Sequence, residues 1–143
     1  MQQQMPQHQA GQTQQHIQQF PQMGQRFQDV TTHEQQVATE YITRAIQVCE
    51  WCANQCLELG NPNMAECIRL CEDVSELGEV ALTLLPRNSR YTQPHLQTLQ
   101  NALQACAQEC SQHQHAHCQE CAQVLPEAIQ SLQQFGIAQS GGQ

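Results

Sequence analysis

The sequence predicts an all-α protein: an antiparallel, up-down-up-down four-helix bundle behind a disordered Gln-rich N-terminal tail. Three observations carry that prediction. Apolar residues recur at alternating spacings of three and four, the period of one helix face. Gly and Pro fall where each apolar run stops. The connections between runs are short, which sets consecutive helices side by side and antiparallel.

The first 28 residues hold thirteen Gln and a single formal charge, Arg26. Without apolar periodicity, residues 1–28 cannot offset the entropy of ordering and are expected to be disordered. His8, His16, Met5 and Met23 in this tail read as compositional drift rather than as a metal-catching arm. The bundle is expected over 29–137, with 138–143 a flexible C-terminus.

The first helix starts near Thr32, where Thr32 with Gln35, or Thr31 with Glu34, has capping-box spacing. Its seam runs Ala38, Ile42, Ala45, Cys49, Cys52, Cys56, Leu59, and Gly60 with Pro62 ends it. Asn63 has the chemistry to cap the second helix, whose seam is Met64, Cys67, Cys71, Val74, Gly78, Ala81, Leu85. Leu70, Leu77 and Leu84 widen that face, and Pro86 stops it. The third helix begins near Pro94 and carries Leu96, Leu99, Leu103, Cys106, Cys110 and His113 in phase. After a turn within 112–117, the fourth carries Cys118, Cys121, Leu125, Ala128, Leu132 and Phe135. Pro126 is expected to kink or break this helix, and Gly136 to end it.

This order of helices sorts the cysteines. They occupy the C-terminal half of helices one and three and the first turns of helices two and four. In an up-down-up-down bundle those four places lie at the same end, so all nine cysteines gather there, facing inward. Cys49 to Cys56 climbs roughly 10 Å along a helix, which sets the depth of a thiol-lined zone. A lone free cysteine packs as a small hydrophobe. Nine sorted to one end of four helices point instead to metal.

Composition narrows the function further. The net charge is −8, all five basic residues are Arg and Lys is absent. That leaves no basic face for nucleic acid. No charged start followed by an apolar run suggests a secretory signal, and no stretch is apolar enough to span a membrane. A cytoplasmic location is therefore expected, where thiols stay reduced. Nine is also an odd count, so the cysteines cannot all pair within one chain. No Ser/His/Asp set, phosphate loop or paired carboxylates stand out, so the chain does not read as an enzyme.

The helical CxxC and CxxxC spacings differ from the loop-borne knuckles of zinc ribbons, and nine thiols overprovide one tetrahedral shell. No ferredoxin-type run is present. Cu(I) is soft, prefers thiolates and accepts few ligands, so thiols at i and i+3 or i+4 with bridging sulfurs suit several Cu(I) ions best. Two other readings stay open: an iron–sulfur or zinc bundle with a redox or structural role, and an interaction module with inert or oxidised cysteines.

The stretches CEWCANQC (49–56), CIRLC (67–71) and CAQECSQHQHAHCQEC (106–121) resemble those of the four-helix-bundle copper storage protein family. The resemblance covers about residues 32–135. It implies that Cys49, Cys52, Cys56, Cys67, Cys71, Cys106, Cys110, Cys118 and Cys121 bind multiple Cu(I) ions inside the bundle, for cytoplasmic copper storage or sequestration. It also implies histidines near the mouth and homo-oligomers, often tetramers. Members commonly continue the cysteines further along the helices. Here Val74, Ser75, Gly78, Leu125 and Pro126 stand in those places, which argues for a smaller load.

His113, in phase with the third seam, and His117, directly before Cys118, are added as metal-entrance candidates; His115 ranks below them. Met64 reads as core packing before a thioether ligand. His33 and His95 read as surface residues. Trp51 and Tyr41, off the seam, read as core-edge or oligomer-contact residues.

Overall fold

A computed structural model describes residues 24–141, with side chains through 139. The tail expected to be disordered lies, through residue 23, outside the described residues. Its last part carries a helical turn, Phe27–Val30, started by Arg26. The Arg26 side chain and backbone N–H both donate to the Asp29 carboxylate, and those bonds hold its carboxyl below the usual range.

From His33 onward the chain forms four long helices: α1 (His33–Leu59), α2 (Ala65–Leu84), α3 (Thr92–Ser111) and α4 (Ala116–Gly141). Each packs against two others in a closed ring, α1 on α2 and α4, and α3 on α2 and α4. A 20-residue helix is about 30 Å long, and a seven-residue link spans at most about 25 Å. Links this short cannot run back along a helix, so neighbours are antiparallel and the predicted topology holds.

The interior follows the seams, except that Leu59, the last residue of the first, is exposed. Ala38, Ile42, Ala45, Val74, Ala81, Leu85, Leu96, Leu99, Leu103, Leu125, Ala128 and Leu132 are fully buried alongside the cysteines. The first seam extends one step further back than its apolar residues, to Gln35, which is also buried. Its side-chain amide donates to the Leu85 carbonyl at 2.7 Å and to Asn88 Oδ1 at 2.9 Å. A polar seam residue thereby ties the start of α1 to the end of α2, where helix carbonyls lack intrahelical donors. Gly78 sits where α2 closes on α1; a Cβ there would meet Ile46 Cγ1 at 2.8 Å.

Helix ends depart from expectation in four places. Gly60 does end α1, in the left-handed region at φ 63°. Asn63, however, caps nothing: Asn61 accepts the Asn63 N–H at 3.0 Å, and a 3₁₀ turn (Pro62–Met64) precedes α2. Asn61 holds the extended backbone that a capping side chain needs, whereas Asn63 is inside the turn. Helix α4 runs unbroken through Pro126, and Gly136 does not end it. A proline removes one donor but leaves the rest of the ladder, and a glycine stops a helix only where it takes positive φ. The segment 138–141, expected as part of a flexible terminus, is the last turn of α4.

His95 is also corrected. It is half-buried, and its Nε2 lies 2.6 Å from the Leu77 carbonyl, linking α3 to α2. His33 is exposed, as expected.

Candidate metal centre

Heptad phase turns every cysteine inward, and all nine are buried free thiols, none more than 1 % exposed. Their sulfurs meet across all four helices. Cys67 Sγ of α2 stands 3.5 Å from Cys110 of α3, 3.8 Å from Cys56 of α1 and 4.0 Å from Cys118 of α4. One turn deeper, Cys71 stands 3.6 Å from Cys106. Cys121 also lies 3.7 Å from the Val48 carbonyl, to which its S–H donates.

Three groups have their sulfurs mutually within 4.8 Å: Cys52, Cys56, Cys67 and Cys118; Cys52, Cys71, Cys110 and Cys121; Cys49, Cys71 and Cys106. The groups are stacked and share members, Cys52 between the first two and Cys71 between the last two. A metal–thiolate bond is about 2.3 Å for zinc, so two sulfurs on one ion stand at most about 4.6 Å apart. The sulfur contacts fall within that reach without rearranging the helices. One turn further along each helix, Ala45, Val74, Leu103 and Leu125 end the thiol zone with apolar side chains.

Close packing couples the protons. Burial first, then nearby negative sulfur, pushes the Cys56 and Cys118 thiols up. Hydrogen bonding with Cys106 pushes Cys71 up, and with Cys110 pushes Cys106 and Cys121 up. Hydrogen bonding with Cys110 pulls Cys67 down to about 7, and hydrogen bonding with Cys106 pulls Cys49 and Cys110 down. Some sulfurs give up protons readily because their neighbours keep theirs. Full ionisation would bury uncompensated negative charge, which only cations can offset.

The histidines sit at the rim. Among the described residues, every group of three or more ligands contains cysteines alone, so His113 and His117 fall outside those groups. His113 Nε2 is 2.6 Å from a Glu109 carboxylate oxygen, and the His113 carbonyl accepts from the Gln119 amide. The i, i+4 spacing of Glu109 and His113 is a signal in the sequence that points to this pair. His117 is buried, 9 % exposed, and its Nε2 has no hydrogen-bond partner. Its ring stacks on His115 at 5.3 Å and meets Trp51 edge-on at 6.2 Å. Met64 is buried at the same end, within the core. Tyr41 packs against the core from its edge, as expected.

A helical bundle whose interior presents nine thiols in shared, metal-sized groups defines a thiolate metal-binding bundle. The chain belongs to the copper storage protein family, whose model matches residues 31–134. It is similar to apo copper storage protein 3 from Bacillus subtilis, at 23 % identity and a TM-score of 0.64 over 70 % of this chain and 96 % of that one. It is also similar to the copper storage protein Ccsp from Streptomyces lividans loaded with 10 copper equivalents. That match has 27 % identity and a TM-score of 0.66, over 78 % of this chain and 89 % of the other. A third relative, the uncharacterized cysteine-rich protein YhjQ of Bacillus subtilis, is 28 % identical over 55 % of this chain and 74 % of its own length.

Proposed function

We propose that this protein stores or sequesters several Cu(I) ions on the nine cysteine thiolates at one end of its bundle, in the cytoplasm. The observation that carries this reading is the sharing of Cys52 and Cys71 between adjacent groups. A sulfur that belongs to two groups bridges two ions, so the array is continuous rather than a set of closed shells. One closed shell of four ligands is what a structural zinc needs. An iron–sulfur cluster takes a set of four cysteines, usually from a ferredoxin-type run, whereas here nine thiols share members between groups and no such run is present. Cu(I), with few ligands and a preference for thiolate, fits the overlap.

In this reading the nine cysteines hold the cargo, and His113 and His117 serve its entrance. The protein holds ions and performs no turnover. Homo-oligomerisation belongs to the same proposal, supported by the exposed apolar side chains Leu57, Leu59 and Val80. No described helix is long and apolar enough to cross a membrane.

Titration of the reduced chain with Cu(I) against a competing chelator tests the function. With private pairs of thiolates, nine cysteines would support only four ions. With bridging, each ion brings one charge per thiolate and neutralises the buried array. More than four Cu(I) per chain is expected. Saturation at one or two would replace storage with a carrier or sensor role.

A further inference from the structure

The rim carries an arrangement that thiol storage by itself does not require. His117 directly precedes Cys118, a member of the outermost sulfur group, and its ring is buried with Nε2 unpartnered. A buried polar atom without a partner is unfavourable, because it has given up water and gained no bond in return. A ring free to turn would escape that cost by showing the nitrogen to water. Here the ring is held on two sides. His115 lies parallel to it, 8° between planes, and Trp51 meets it at 83°. Trp51 stands on α1 between Cys49 and Cys52, and it is 43 % exposed. Its off-seam position therefore leaves much of the indole in solvent while the ring reaches His117.

Resting on the copper reading above, we propose that Trp51 is a positioning residue for Cu(I) entry: with His115 it clamps the ring of His117, the residue before Cys118 of the outermost thiol group, so that its bare Nε2 is kept out of water. A neutral imidazole protonated at Nδ1 offers a lone pair at Nε2, a ligand type that copper accepts. Entry is then a series of ligand exchanges. The Nε2 lone pair displaces one ligand of the arriving Cu(I) complex. Rim thiol sulfurs next displace the imidazole and the remaining carrier ligands, and each thiol proton passes to a released carrier ligand or to solvent. No electron moves. The clamp acts on rate, because the final sites are sulfur alone.

Stopped-flow uptake by the full reduced chain, from Cu(I) held by bicinchoninate, tests this. Trp51→Ala should slow the fast phase about tenfold, as loss of pre-orientation does, and leave the final Cu(I) count unchanged. Trp51→Phe, which keeps an aromatic edge against the imidazole, should restore most of the rate. In a His117→Ala background, Trp51→Ala should slow uptake no further, since the two act as one unit. A native rate in Trp51→Ala, independent slowing in the double variant, or a fall in the final count overturns the proposal. Trp51 is the single Trp of the chain, so native emission gives a second readout that needs no variant. A change within the fast phase supports the clamp, and emission constant until late loading overturns it. Should the native chain take up no Cu(I), the storage function fails, separately from the clamp.

Discussion

Cys110 shows how the thiols work at the scale of one residue. Its sulfur stands 3.5 Å from Cys67 and 4.0 Å from Cys106, so it joins helices while remaining one ligand among several. Serine keeps the volume and offers a hard oxygen that Cu(I) binds poorly. Cys110→Ser is therefore expected to lower capacity by about one or two ions and leave the helical spectrum intact, because neighbouring sulfurs keep their own bridges. Cu(I) titration with circular dichroism checks both halves; complete loss of binding would mean one discrete site instead of a shared array. The cysteine positions were legible from seam phase alone. Glu109 beside His113 and Trp51 beside His117 were not read from the sequence. The first contact was signalled by i, i+4 spacing. The second joins residues on different helices, where no spacing rule applies.

At the scale of the helix, ends were harder to read than middles. A seam repeats over many turns, so one irregular residue does not erase it. A terminus rests on one or two side chains whose backbone conformation decides their role. Gly60 takes positive φ and stops α1, whereas Gly136 stays within α4. Asn61 rather than Asn63 accepts the N–H that starts the turn before α2. Gln35 shows how far an end depends on its neighbour, since its amide satisfies the Leu85 carbonyl and Asn88 across helices. Each such bond contributes about 0.5–1.5 kcal/mol. Gln35→Ala should therefore destabilise the bundle by about 1–3 kcal/mol, seen as a lower urea midpoint, with no change in Cu(I) count because the thiols lie at the other end.

Across the whole molecule, chemistry is divided by height: thiols at the end with the Gly60 turn and the 112–115 turn, aliphatic side chains beyond. The division has a consequence for pH. Cys56, Cys71, Cys106, Cys118 and Cys121 are all pushed up, so they are protonated in the apo protein at neutral pH. Cu(I) must displace those protons. The sign follows: lower pH favours the protonated apo form, so apparent Cu(I) affinity should fall as pH drops and rise as it climbs. Loading at pH 7 should therefore release protons, because Cu(I) takes their place on these thiols. Titration calorimetry in buffers of different ionisation enthalpy would count them; loading without release would show thiols already ionised.

By itself, the sequence determined the all-α class, the four seams, the antiparallel order and the gathering of nine cysteines at one end. Each of these follows from periodicity and link length, which are local quantities repeated many times along the chain. Tertiary structure alone decided which sulfurs are shared. Whether Cys52 stands in one group or two depends on the rotation and approach of four helices to within an ångström, and no residue pattern encodes distances that fine. It likewise decided that Gln35 and His95 bridge helices and that Trp51 reaches His117. Those contacts arise where separate helices meet, and their geometry exists only after the apolar seams have closed on one another.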